Sequence, residues 1–186
     1  MNAWDPDLYN RALRFAADAH GNQTLPGTTI SYVVHLCQVC QEALGAVLND
    51  PRLDADLVMQ CALLHDTLED TSVTRDEVTH AFGLAVAQGV DALSKRAHGP
   101  AGQRWSKAEK MADSLARITE QPHEVWVVKL ADRVTNLQTP PGHWPKEKIA
   151  AYHAEAEQIL ATLGEASAHL SGRLRTKLAH YDRHWR

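Results

Sequence analysis

"VWVVKLADRVTNL", residues 125–137, decides the fold. Its β-branched run could pass for a buried strand. Against that, Val125, Val128, Leu130, Ala131, Val134 and Leu137 recur at intervals of three and four, and the pattern persists until the breaker "TPPGHWP" at 139–145. A helix buried in the core is therefore expected. With this segment helical, the architecture is all-α.

The flanking sequence agrees. In "DPDLYNRALRFAADAH" Asp5 is placed to cap a helix, Pro6 stands at its first position, and Leu8, Ala12, Phe15, Ala16 and Ala19 trace one apolar face to about His20. "GNQTLPGTTIS" then reads as a loop, followed by a helix over about Tyr32 to Leu48 and another, after "NDPRLD", over about 54–66. Thr74 with Glu77 and Ser106 with Glu109 form two capping boxes, and "FGLAVAQGVDALSK" between them is a short amphipathic helix before the loop "RAHGPAGQRW". Pro145 opens a helix through about Leu163, and "EASAHLSGRLRTKLAHYDRHW" forms the last. No repeat or linker interrupts the 186 residues, so one domain spanning 1–186, an irregular helical bundle, is expected.

Composition narrows the function. A formal charge of −4 provides no global basic field for nucleic acid, although small anionic substrates remain allowed. Neither a membrane span nor a secretory leader is visible, and Cys37, Cys40 and Cys61 are an odd number of thiols, so a cytoplasmic protein is expected. "CQVC" lacks a second Cys/His pair at zinc spacing and reads as structural.

The chemistry concentrates in "CALLHDTLEDT", residues 61–71. If the helix continues, His65 and Asp66 share its edge, and Glu69 and Asp70 lie one turn on along the same face. Carboxylates crowded beside an imidazole repel unless a cation or a bound proton compensates. A lone His-Asp pair reads equally well as a solvated helix end. Two further residues weigh against that reading: His35, closing "SYVVH", and Asp132, a carboxylate in an apolar run that is costly unless it binds a metal or pairs with Lys129 or Arg133.

The segments "FAADAHGNQ…SYVVH", "ALLHDTLEDT", "VVKLADRVTNLQT" and "AYHAEAEQIL", in this order, make the chain similar to the HD-domain phosphohydrolases. It resembles specifically the RelA/SpoT-type alarmone hydrolases in their short, single-domain form, over roughly residues 8–163. The resemblance implies an HD-domain helical bundle in which His35, His65, Asp66 and Asp132 hold a divalent ion, usually Mn²⁺. It further implies Glu69 and Asp70 as the acidic pair that orients or deprotonates water, and Lys95, Asn136, Thr139, Lys148 and Tyr152 as the lining of a nucleotide site. The implied reaction removes the 3′-pyrophosphate of (p)ppGpp.

One departure stands out. Relatives carry an Arg and a following basic residue in the loop after "GQ", whereas "NQTLPGTTISY" has Leu25 and Pro26, no cation and one extra residue. A base-stacking contribution of roughly 0.5–2 kcal/mol must then come from elsewhere or be missing, and adenosine alarmones or another phosphorylated nucleotide become admissible substrates. Competing readings are a phosphatase of the same scaffold acting on NADPH or a 5′-nucleotide, and a nucleotide-binding module without turnover. Oligomeric state is left open.

Elsewhere, Trp126 is expected in the core, Trp144 at a turn, and His20 as support for the loop. His80, His98, His123, His143, His153, His169, His180 and His184 are expected in surface or capping roles. The basic segment "GRLRTKLAHYDRHWR" could attract an acidic partner, though alternating charge on a terminal helix commonly serves solubility.

Overall fold

A computed structural model describes residues 4–184. Their helices are α1 (Pro6–His20), α2 (Val33–Asn49), α3 (Ala55–Leu64), α4 (Thr67–Asp70), α5 (Arg75–Phe82), α6 (Leu84–Leu93), α7 (Lys107–Thr119), α8 (His123–Asn136), α9 (Lys146–Leu163) and α10 (Ala168–Tyr181). Short 3₁₀ turns occupy Gly164–Ala166 and Asp182–His184. Extended pairing among the described residues is confined to isolated bridges, Thr24 with Ser31 and His98 with Arg104. The all-α expectation holds.

α8 is the axis of the bundle, touching α2, α3, α6, α7, α9 and α10. Every residue from Val125 to Thr135 is buried, including Lys129, Asp132 and Arg133. A helix wrapped on all sides has no polar face to give it away, which explains the strand-like appearance of its sequence. β-branched residues cost a helix a few tenths of a kcal/mol each, whereas burying each valine contributes about 1.5–3 kcal/mol, so tertiary packing decides. Trp126 joins this core and donates its indole N–H to Gln121 O at 2.9 Å.

The starts of α1, α3 and α8 are tied together. Asp5 caps α1 through Asp7 N, while its own N–H donates to Asp56 Oδ1 at 2.7 Å. Asp54 caps α3 by accepting from Asp56 N and Leu57 N, and its N–H donates to Glu124 Oε1 at 2.8 Å. Both anticipated capping boxes are present, at Thr74/Glu77 and Ser106/Glu109. All three cysteines are free thiols; Cys40 and Cys61 are buried, and Cys40 Sγ lies 3.1 Å from Met59 Sδ, in keeping with a structural role.

One expectation fails in an informative way. The helix over 54–66 does not run on into Glu69 and Asp70; it ends at Leu64, and α4 begins again at Thr67. Thr67 Oγ1 donates to Leu64 O at 2.6 Å and takes up a carbonyl at the break, and Asp66 sits at φ −101°, ψ −2°.

Gly89 on α6 is the point of closest approach to the core. A Cβ there would stand 2.8 Å from Cys61 Sγ on α3 and 2.9 Å from Val125 Cγ2 on α8. Overpacking typically costs about 1–3 kcal/mol, and the better helix propensity of alanine returns up to about 1 kcal/mol. Gly89→Ala should therefore lower the unfolding free energy by about 1–2 kcal/mol in urea titration; a stabilised variant would show that α6 packs more loosely than described.

Candidate metal centre

His35 projects from the first turn of α2, His65 and Asp66 from the break between α3 and α4, and Asp132 from mid-α8. Adjacent helical side chains stand about 100° apart. At the break they meet instead: His65 Nε2 lies 2.8 Å from Asp66 Oδ2 and 3.7 Å from Asp132 Oδ1. His35 Nε2 stands 3.7 Å from Asp66 Oδ2 and 3.5 Å from Asp132 Oδ1. One ligand atom each from His35, His65 and Asp132 falls within a 4.8 Å span, all three residues being buried.

The hydrogen bonds decide what this cluster can hold. His65 Nδ1 lies 2.9 Å from Ala62 O, so in the neutral ring Nδ1 carries the proton and Nε2 presents a lone pair. That lone pair faces carboxylate oxygens, and no hydrogen bond reaches Nε2 among the described residues. Lone pairs converging in a buried space demand a positive charge. Without a metal, a proton can fill the role: burial works against charge on His65, but Asp66 and then Asp132 hold its basicity up at about 9. Burial likewise opposes ionisation of Asp66, yet the imidazole of His65 keeps that carboxyl well below the usual range. Two imidazoles and two carboxylates fit a divalent transition ion, which can take the place of the proton.

Each carboxylate is oriented by a neighbour that the sequence did not single out for this task. The Tyr32 hydroxyl donates to Asp66 Oδ2, and burial followed by that carboxylate pushes the phenol pKa up. Tyr32 in turn stacks on the buried ring of His20, 4.9 Å between centroids, and His20 Nδ1 is 2.9 Å from Gln23 Oε1. His20 thus supports the loop, as expected. Asp132 accepts from Asn136 Nδ2 at Oδ1 and from Lys129 Nζ at Oδ2, the latter at 3.4 Å. Of the two flanking cations Lys129 is the partner, its ammonium pKa lowered by burial. Arg133 turns away to Glu155, 3.5 Å, and lies 4.4 Å over the Tyr152 ring.

Glu69 and Asp70 lie on α4 beside this cluster. The Glu69 carboxylate accepts from Lys95 N at 2.8 Å and Lys95 Nζ at 3.4 Å. Burial, then the charges of Asp66 and Glu69, raises the pKa of Asp70, and Gln23 Nε2 anchors its carbonyl at 2.8 Å. Asn136 therefore touches the candidate cluster directly, and Lys95 reaches its edge through Glu69. Lys148 and Tyr152 form a separate group with Trp144: Lys148 Nζ is 3.9 Å over the indole, and the Trp144 and Tyr152 rings meet edge to face at 5.6 Å. Thr139 lines a cleft against α10 whose wall contains none of the four ligand candidates.

One histidine expectation is corrected. His153 is 4% exposed, neither surface nor cap, and its Nε2 lies 2.9 Å from Asp182 Oδ1, fastening the turn after α10 to α9. Its position four residues before Glu157 gave no signal of this distant partner.

A buried cluster of imidazoles and carboxylates inside a helical bundle defines a class, and the chain belongs to the HD domain family, whose model matches residues 12–168. Within that family it is similar to guanosine-3′,5′-bis(diphosphate) 3′-pyrophosphohydrolase MESH1 of Danio rerio, 30% identical over 183 residues, 94% of each chain. A GTP pyrophosphokinase of Myxococcus xanthus is 34% identical over 162 residues, 86% of this chain but only 20% of that protein. The chain thus spans about a fifth of the length of that larger relative. A solved structure of a metazoan orthologue of SpoT that hydrolyses ppGpp superposes with a TM-score of 0.76 at 23% identity, over 96% of this chain and 97% of the other, and shows the same fold.

A ligand at 100 times its dissociation constant stabilises by about 2.7 kcal/mol, or roughly 5–10 °C in Tm for a chain of this size. MnCl₂ added to chelator-treated protein should raise the melting temperature accordingly, and His65→Ala should abolish the rise. An undiminished rise in His65→Ala would place the ion elsewhere.

Proposed function

We infer that the protein is a metal-dependent hydrolase that removes the 3′-pyrophosphate from ppGpp, pppGpp or an adenosine counterpart, with residues 1–186 forming one catalytic domain. The observation that carries this reading is the end-to-end similarity to the Danio rerio pyrophosphohydrolase, 94% of both chains. The convergence of His35, His65, Asp66 and Asp132 beside Glu69 and Asp70 supports it. A catalytically silent binding module has little use for an acidic pair poised beside such a cluster.

In this reading His35, His65, Asp66 and Asp132 hold a divalent ion, Mn²⁺ by preference. When bound, the ion supplies charge neutralisation at a phosphoryl oxygen and lowers the pKa of water. The protein does the rest. Ala62 O fixes the tautomer of His65, Tyr32 and Asn136 fix the carboxylates of Asp66 and Asp132, and Lys129 limits the negative charge of the cluster. Outer hydrogen bonds of this kind set ligand orientation and basicity.

Glu69, locked by the backbone and side chain of Lys95, orients the attacking water and takes its proton, with Asp70 sharing the charge. Water adds to the phosphorus attached to the 3′ oxygen, the P–O bond to that oxygen breaks, and the oxygen leaves as a hydroxyl by taking the proton that Glu69 removed from the water. The products are pyrophosphate and a nucleoside 5′-di- or triphosphate. Asn136 and Lys95 face the reacting phosphates, while Lys148 and Tyr152 lie further out along the nucleotide; Thr139 lies instead in the separate cleft against α10. The loop at 21–32 contains no Lys or Arg, so no cation from it stacks on the base, and adenine is admitted alongside guanine.

The purified protein with Mn²⁺ should release pyrophosphate from ppGpp or pppApp and no orthophosphate from NADPH or 5′-nucleotides; the reverse product pattern would overturn the substrate class. Glu69→Gln should lower kcat by about 10²–10⁴-fold while keeping the metal-dependent rise in Tm. Asp132→Asn should lose both together. Turnover at the wild-type rate in either variant would contradict its role.

A further inference from the structure

The basic segment of α10 does not simply face solvent. His169, Arg173, Lys177 and His180 line one wall of a cleft of about 530 Å³, and Gln138 and Thr139, just past the end of α8, line the other. That volume is in the range of small-molecule sites. Among the described residues no carboxylate lines the wall, Glu42 standing behind Arg173, in a chain whose net charge is −4. The concentration of donors in this one place runs against the charge of the whole.

The individual contacts leave those donors available. Lys177 forms no ion pair among the described residues, and its Nζ donates only to the neutral amide oxygen of Gln138, at 3.4 Å. Arg173 is held by Glu42 of α2 through Nε and Nη2, which positions the guanidinium and leaves its Nη1 protons for another acceptor. His169 is braced against α2, where a Cβ on Gly45 would lie 2.6 Å from its Nε2. Gly172, between these side chains, keeps the floor open: a Cβ there meets nothing within 4 Å.

We propose that the cleft between α10 and residues 137–139 binds the diphosphate group of a small phosphorylated molecule. A solvated helix face explains basic residues but not a carboxylate-free cavity roofed by a second segment. Arg173 and Lys177 stand one turn apart, about 6 Å along the helix, so each can meet a different phosphate of one diphosphate, which favours that group over orthophosphate. The cleft is also wired to the metal cluster: Asn136, bonded to Asp132, immediately precedes Leu137 and the roof. This site stands independently of the reaction proposed above, because it requires no turnover.

Inorganic pyrophosphate is the probe, titrated calorimetrically into the full chain and three variants. Binding should persist in Asp132→Asn and fall at least tenfold in Lys177→Glu and in Gly172→Leu, which builds into the floor from a position where a Cβ meets nothing within 4 Å. Loss of binding in Asp132→Asn with retention in Lys177→Glu would assign the anion to the metal cluster and overturn the proposal. So would the absence of binding to the wild-type protein at millimolar pyrophosphate.

Discussion

A carboxylate buried in the middle of the core, Asp132, is the constraint around which the molecule is organised. Its desolvation is tolerable only because Lys129, Asn136 and the two imidazoles of His35 and His65 surround it. Each of those partners requires a particular helix at a particular distance: α2 must present its first turn, α3 must stop at Leu64, and α8 must be enclosed on every side. The apolar packing that makes up most of the stability also keeps water from relieving the charge. The same burial that threatens the fold thus makes the cluster a strong attractor of cations.

The break between α3 and α4 serves that cluster. An uninterrupted helix would hold His65 and Asp66 about 100° apart on its surface. By taking up the Leu64 carbonyl with the Thr67 hydroxyl, the chain turns locally at the cost of ordinary helical hydrogen bonds and gains a focus for two adjacent side chains. Tyr32, reaching over from the start of α2, then fixes the more exposed of the two carboxylates.

How much of this was legible in the sequence follows from the range of each interaction. Helix limits were readable where local chemistry sets them: Pro6 after Asp5, the capping boxes at Thr74 and Ser106, and the breaker after Leu137. The ligand candidates were readable because charged residues in apolar runs, Asp132 above all, demand a reason. The break at His65 was not, since Thr67 reads as an ordinary helical residue until its hydroxyl is seen on Leu64 O. Neither was the pairing of His153 with Asp182 or of Tyr32 with Asp66, because partners 29 and 34 residues apart leave no periodic trace. Between Lys129 and Arg133 helical spacing favours Lys129, three residues before Asp132 on the same face, and the packing of Arg133 against Tyr152 and Glu155 agrees.

The shared caps at the beginnings of α3 and α8 bear on how the chain can change length over evolutionary time. Asp54 and Glu124 clamp the two helices at a common origin, from which His65 is about 16 Å and Asp132 about 12 Å along the two rods. Dropping or adding one residue in either rod would swing a metal-facing side chain by about 100° and slide it by about 1.5 Å, while the clamp prevents the rod from shifting to compensate. Insertions and deletions should consequently accumulate in the segments at 97–105 and 139–144, and the stretches 54–66 and 123–136 should keep a fixed count of residues even where nearly every apolar identity has drifted.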